Sequence, residues 1–403
     1  MAAPETIIEI GTGYTSIPSK VGAATEIVVE ELTRSLRKQG KQVVIFDVAD
    51  PGRLPNDLPM VEVPMPLWHS SKSAYNLGIT HKLKRLSYSL SLAKQLKKYT
   101  TGDGHYTIHF HNQYNFFFYK LLSGMKQKPN LTLLYTTHSG IWSMAWDTIK
   151  DKIRIKYFME QFSMKHADRS YVLNEAAYTN IQTHLGIRPP RLRMIPNGVN
   201  TQVYRRLETG NPEVQALRQK LGLTDEIVIF LAGTIEERKN QLDIIRWLTP
   251  SFRTVPRLCF LYAGGVRNPE YQQSIEAYVR EHGLEKQVRY LGELSPGKVL
   301  NEHYNIADAF ILASRFEAFP LVTLEALSAG LPVLLSGNLM IDYFKKDDTG
   351  ILPFSDPAEL TKVLAREILP EDRRAIHGRH ARHFIENHFS WDHITREYFN
   401  ERP

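Results

Sequence analysis

Residues 314–330 read S-R-F-E-A-F-P-L-V-T-L-E-A-L-S-A-G, from Ser314 to Gly330. Two carboxylates, Glu317 and Glu325, stand with seven residues between them. The apolar run Ala309–Ala313 before them predicts a buried strand, and Leu321–Ala329 predicts a short helix closed by Gly330. Pro320 suits the first helical turn, where a missing N–H costs nothing. One acid thus lies on the loop at a strand's carboxyl end, and the other about one turn into a helix. The helix N-terminus between them offers unpaired backbone N–H groups to an anion. Two hydroxyl-accepting carboxylates flanking a phosphate site is the layout a bound sugar nucleotide needs.

Working outward, strand-like and helical stretches alternate along the whole chain, which predicts parallel sheets built from βαβ units. In the first half, strands are expected at Thr6–Ile10, Gln42–Asp47, Tyr106–Phe110, Leu131–Thr137, Arg169–Leu173 and Leu192–Ile195. The helices there are Gly22–Gln39, Tyr75–Lys98, Thr148–His166 and Glu175–Leu185. In the second half, strands are expected at Ile227–Ala232, Leu258–Ala263, Val288–Leu291, Ala309–Leu312, Val333–Leu335 and Gly350–Pro353. Helices there are Gln241–Leu248, Pro269–His282, Pro296–Asn305 and Leu321–Ala329. The polar segment Thr201–Asp225 reads as an interdomain connection. The expected architecture is α/β, two Rossmann-like doubly wound domains facing each other across a cleft, with ligands outside the carboxyl ends of the strands.

The frame S-x-F-E-x-F-P-L-x-x-L-E-A-L-x-A-G-L-P-V resembles the Glu-x7-Glu motif of retaining glycosyltransferases of family 4, the glycosyl transferases group 1, which have the GT-B fold. The resemblance is strong over 170–340 and looser over 50–130. It implies that Glu317 touches the donor sugar and that Glu325 holds the ribose hydroxyls. Phe319, Pro320 and Leu321, at the helix start, then lie beside the diphosphate. It also implies an N-terminal acceptor-binding domain over 1–200, joined by a terminal helix within 389–403 that crosses back to it, and a nucleotide-sugar-binding domain over 201–388.

Further constellations fit this reading. Leu231–Asn240, L-A-G-T-I-E-E-R-K-N, resembles the family's G-R-x-x-x-x-K-G segment, in which Arg and Lys clamp the pyrophosphate. Gly233 and Lys239 match it. Thr234 stands where the family has Arg, so Arg238 or Arg315 would have to substitute. Gly22, in the loop after the first strand, is a candidate phosphate contact. His138 in Y-T-T-H-S-G resembles the family's T-x-H site and can bond a substrate hydroxyl near neutral pH. Leu291 and Leu294 bracket a loop resembling the segment that recognises the base through backbone groups. His109 and His111 have a spacing that suggests metal ligation, but no third ligand of suitable spacing is visible, so a substrate-lining or core role is expected. Trp68, Tyr75, Tyr114 and Trp142 are available for stacking on a sugar or aglycone.

The reaction expected is transfer of a sugar from a nucleotide-sugar donor to an acceptor hydroxyl on a glycan, a lipid-linked molecule or a small molecule. It would proceed with retention and without a metal or other cofactor. Another GT-B enzyme, such as a phosphorylase or epimerase, and a non-catalytic sugar-nucleotide-binding subunit remain alternatives. Among 403 residues the formal net charge of +7 is uneven: residues 1–200 carry 25 basic against 15 acidic groups, and 201–403 carry 25 against 28. The first half therefore faces something anionic. The absence of a nucleic-acid module argues against nucleic acid. His81–Tyr99 reads as a basic helix in which Leu83, Leu86, Leu90 and Leu96 could share one stripe beside Lys82, Lys84, Arg85, Lys94, Lys97 and Lys98. It is either packed on the sheet with a solvated basic face or docked on an anionic bilayer. The N-terminus carries no signal-peptide pattern, and the single Cys259 in an apolar run fits a reducing compartment. A cytoplasmic protein, peripheral to the inner membrane face in the docked case, is expected.

Overall fold

The computed structural model describes residues 5–19, 23–65, 79–124 and 128–399, and of 79–82 the backbone alone. The chain forms two compact units. One comprises Met1–Asn197 and Trp391–Pro403, the other Gly198–Ser390.

The first unit is a parallel seven-stranded sheet. Its strands are β1 (Thr6–Ile10), β2 (Gln42–Val48), β3 (Met60–Val63), β4 (Tyr106–Phe110), β5 (Leu131–Thr136), β6 (Arg169–Val172) and β7 (Leu192–Met194). Their order is β3-β2-β1-β4-β5-β6-β7, so the strand order reverses between β1 and β4. Val, Ile, Leu and Phe dominate the central strands because both faces are covered by helices. Helix Ala24–Lys38 buries Val28, Val29, Leu32 and Leu36. Terminal helix Trp391–Phe399 packs beside it, where Ser35 Oγ donates to Asp392 Oδ1 at 3.1 Å and Lys38 pairs with Asp392. Tyr171 Oη also donates to the Tyr398 carbonyl at 3.1 Å.

The second unit is a parallel six-stranded sheet of β8 (Ile227–Ala232), β9 (Leu258–Ala263), β10 (Val288–Tyr290), β11 (Ala309–Leu312), β12 (Val333–Ser336) and β13 (Ile351–Phe354). The order β10-β9-β8-β11-β12-β13 reverses between β8 and β11. Gly264 follows β9 with φ +148°, and a Cβ there would lie 2.0 Å from the Gly233 carbonyl oxygen. Only glycine lets the loops after β8 and β9 approach this closely.

Several local expectations fail for identifiable reasons. Edge strand β3 is only four residues, M-V-E-V, set between Pro59 and Pro64, and its brevity hid it. Gln113–Ser123 is a helix although its run of aromatics suits a strand. Asn112 caps it by accepting the Tyr114 N–H at 2.9 Å. The expected helix Thr148–His166 is two, Trp146–Lys156 and Phe158–His166, broken at Tyr157. Helix Gln241–Thr254 runs beyond Leu248 with Pro250 inside it. The connection 201–225 contains helix Pro212–Lys220, capped by Asn211.

Helix Ile79–Tyr99 corrects the apolar stripe. Tyr88, Leu92, Ala93 and Leu96 are buried against the sheet, whereas Leu83 and Leu86 are 52% and 37% exposed. The four leucines therefore do not share one side: Leu96 belongs to the buried side, and Leu83 and Leu86 do not. No helix among the described residues is long and apolar enough to cross a membrane.

Candidate functional site

Strand β11 ends at Leu312, and the loop after it delivers Glu317 beside the reversal of strand order. Strand β8 on the other side of that reversal leads through Gly233 and Thr234 into the turn Glu237–Lys239. The two loops meet: Lys239 Nζ lies 2.7 Å from Glu317 Oε1, and Arg238 Nη1 lies 2.9 Å from Glu317 Oε2. Burial opposes ionisation of Glu317, but the two cations outweigh it and hold its carboxyl below the usual range. Arg238 is also held by Glu236 at 2.8 Å, and Glu236 takes Arg267 at 3.2 Å. Thr234 Oγ donates to the same Glu236 at 3.0 Å. Arg238 thus stands beside Lys239, with both cations on the Glu317 carboxylate. Arg315 is exposed, and its backbone N–H bonds the Arg238 carbonyl at 2.8 Å. Gly233 lies against the Lys239 stem, whose Cε would make an ordinary contact of 3.4 Å with a Cβ there.

Helix Leu321–Ser328 begins after Pro320, which is its N-cap with φ −82° and ψ 92°, one position before the first helical residue. Phe319 is buried with its ring 5.9 Å from Phe344 and 6.3 Å from Phe389, so the ring anchors the loop. Glu325 lies one turn into this helix, 6% exposed, and accepts from Tyr304 Oη at 2.9 Å. Burial raises its carboxyl to about 7. The two glutamates of the motif therefore have opposite electrostatics, one paired with cations and one buried among tyrosines. Leu291 and Leu294 flank Gly292 in the loop after β10, and the Gly264 N–H donates to the Gly292 carbonyl at 2.8 Å.

In the first unit, residues of β1 and β4 and those just after β4 and β5 form a second cluster. Glu9 of β1 and His109 of β4 are register partners. Glu9 Oε1 lies 3.2 Å from His109 Nδ1, and Oε2 lies 2.8 Å from His111 Nε2. His111 Nδ1 in turn meets His138 Nε2 at 3.0 Å. Burial works against the charge of Glu9, but its histidine partners outweigh it and bring its carboxyl down to about 2. Burial lowers His111 to about 4 and His138 well below its usual value, so both rings favour the neutral form.

This corrects the expectation that His109 and His111 lack a third ligand. Glu9, His109 and His111 form a donor set able to hold a metal, although each donor atom already has a hydrogen-bonding partner within the set. Sequence spacing missed Glu9 because it lies a hundred residues away. The available signal was a lone acid inside the apolar strand T-I-I-E-I. Glu26 was missed as well: it is buried, accepts from Thr12 Oγ, and burial raises it to about 7. Trp142 is fully buried and so unable to stack on a ligand, whereas Tyr114 is half-buried beneath Arg85. Gly22, Trp68 and Tyr75 lie outside the described residues.

The model of the glycosyl transferases group 1 family matches residues 213–384, and that of Glycosyltransferase Family 4 matches residues 25–203. Alpha-monoglucosyldiacylglycerol synthase of Acholeplasma laidlawii is 30% identical over 173 residues, 42% of each chain. Alpha-galactosylglucosyldiacylglycerol synthase of Streptococcus pneumoniae is 29% identical over 197 residues, 47% of this chain and 50% of that protein. The chain thus matches about half the length of these relatives or less. Among solved structures, sucrose-phosphate synthase from Thermosynechococcus elongatus superposes with a TM-score of 0.76 at 20% identity, covering 98% of this chain and 97% of that one. The two family models together span both units, and the fold agrees; this chain belongs to the group 1 glycosyltransferases of family 4 and has their GT-B fold.

Proposed function

We propose that this protein transfers a sugar from a nucleotide-sugar donor to an acceptor hydroxyl, with retention of configuration and without a metal ion. The observation that carries the reading is Glu317 held between Lys239 and Arg238 at the end of β11, next to the start of helix Leu321–Ser328. When a donor binds, its diphosphate competes for the two cations and meets the helix N-terminus, which together stabilise the leaving charge. Glu317, released from part of its pairing, accepts hydroxyls of the sugar. Glu325 accepts the ribose hydroxyls. Assignment of the acceptor to the first unit rests on its basic charge and on His138 after β5. Family membership supports retention, in which the acceptor hydroxyl arrives on the leaving-group face.

The test is nucleotide release from a panel of UDP-, GDP-, ADP- and TDP-sugars. One donor class is expected to turn over, and Glu317→Ala is expected to lose on the order of 100-fold in kcat. Full activity in Glu317→Ala overturns its assignment.

The glycolipid synthases among the relatives, and the exposed Leu83 and Leu86 on the same helix as the exposed Lys94, Lys97 and Lys98, support a lipid-linked acceptor reached from an anionic bilayer. Co-sedimentation with phosphatidylglycerol vesicles should occur and weaken when these three lysines become Glu. Binding indifferent to anionic lipid discards the docking.

A further inference from the structure

We infer that Glu9 is a positioning residue that sets the tautomer of His138 through His111, so that His138 presents a lone pair, and not an N–H, to a substrate hydroxyl. The inference rests on the glycosyl-transfer reading for the identity of that hydroxyl, and for everything else on the hydrogen-bond geometry of an ionised Glu9 and a neutral His111.

Strand periodicity builds the chain of contacts. His109 in β4 and His111 just after it are two apart, as are Thr136 at the end of β5 and His138 after it, the spacing that returns an extended chain to one side. The pairing of β1 with β4 sets Glu9 against His109, and the pairing of β4 with β5 sets His109 beside Leu134, so His111 comes level with Thr136. Five groups then run in series: Thr136 Oγ, His109, Glu9, His111 and His138, with steps of 2.7, 3.2, 2.8 and 3.0 Å. Glu9, His109 and Thr136 are wholly buried, His111 nearly so, and His138 is the half-buried end.

The proton positions follow from donor–acceptor balance. An ionised carboxylate only accepts, so the His111 nitrogen facing it, Nε2, carries the hydrogen. A neutral imidazole has one N–H, which leaves His111 Nδ1 as an acceptor. The 3.0 Å contact is then a hydrogen bond only with the hydrogen on His138 Nε2. His138 Nδ1 is left with its lone pair. Such a ring can accept from a sugar or acceptor hydroxyl but cannot donate to it. A buried carboxylate fixing the tautomer of a histidine that touches substrate is the logic of hydrolytic triads, here extended by one further histidine. Glu9 touches no substrate in this scheme and acts only through His111.

Histidine labelled with 15N in the full-length protein tests this at neutral pH, because ring 15N shifts report which nitrogen bears the hydrogen. His111 and His138 resonances are assigned from the His111→Gln and His138→Gln spectra. Both residues are expected as Nε2–H tautomers. A wild-type His138 with its hydrogen on Nδ1 overturns the proposal without bearing on glycosyl transfer. In Glu9→Leu, with folding checked by circular dichroism, the His138 signals are expected to shift towards a tautomer mixture. The kcat should fall about 10–100-fold with donor KM nearly unchanged, a loss typical of removing a histidine's orienting partner. His109→Gln, which leaves the Glu9–His111–His138 branch intact, should preserve the His138 tautomer. A folded Glu9→Leu protein with an unchanged His138 spectrum overturns the inference. So does a stoichiometric metal in the purified wild type that is lost in Glu9→Leu, since the cluster would then be a metal site. The wild-type spectrum decides the question even where Glu9→Leu fails to fold.

Discussion

Glu325→Gln should make the second unit more stable at pH 8 while weakening nucleotide binding. In the folded chain, burial raises the Glu325 carboxyl from 4.5 to about 7, with Tyr304 donating to it at 2.9 Å. Below pH 4.5 the group is protonated in both folded and unfolded chains and contributes nothing. Between pH 4.5 and 7 the unfolded chain releases the proton and the folded chain keeps it, so stability falls as pH rises. Above pH 7 the whole cost is present, about 3 kcal/mol at most. Gln has nearly the same shape, accepts from Tyr304 and never ionises. By calorimetry the second unit of Glu325→Gln should therefore melt roughly 5 °C higher than wild type at pH 8 and at about the same temperature at pH 4.5. Glu26, also raised to about 7, gives the same slope in both proteins and cancels from the difference.

Binding should move the other way. Two ribose hydroxyls donate best to the ionised carboxylate, so wild-type affinity for a nucleoside diphosphate should weaken as pH drops below about 7. Glu325→Gln should bind about 10- to 100-fold more weakly at pH 8, from losing hydrogen bonds to a charged acceptor, with a flatter pH dependence. Wild-type and variant stabilities that run parallel from pH 4.5 to 8 would refute the buried-acid reasoning. Unchanged nucleotide affinity at pH 8 would refute the ribose assignment.

Gly264→Ala places a methyl 2.0 Å from the Gly233 carbonyl at φ +148°, so it should cost more than about 3 kcal/mol and displace the loop leading to Lys239. A soluble variant with a wild-type melt and full nucleotide binding would contradict it. Tyr398→Ala removes a fully buried ring 4.8 Å from Tyr171 and 5.4 Å from His109. The first unit should lose about 3–5 kcal/mol, seen as a lower calorimetric transition. Cys259 is buried, and burial pushes its thiol up to about 11, so a thiol reagent should label it only in denaturant.

The alternation of strands and helices, the Glu317–Glu325 spacing and the Gly233–Lys239 loop were legible from residues alone, because each is local: periodicity, capping and turn chemistry act within one element. Elements whose local signals conflict were missed. The aromatic run of Gln113–Ser123 suits a strand but folds as a helix under its Asn112 cap, and β3 is too short between prolines to show alternation. Which side of helix Ile79–Tyr99 is buried was also not settled locally, since Leu96 faces the sheet while Leu83 and Leu86 face outward. Only the tertiary structure joined Lys239 to Glu317 across 78 residues and Glu9 to His109 across 100. Parallel pairing does this: neighbouring strands are separated in sequence by whole crossover helices, and register alone decides which side chains meet. The charges follow the same division. Identical residues at the ends of one motif acquired opposite acidities, because one carboxylate folded against two cations and the other into a buried pocket of tyrosines.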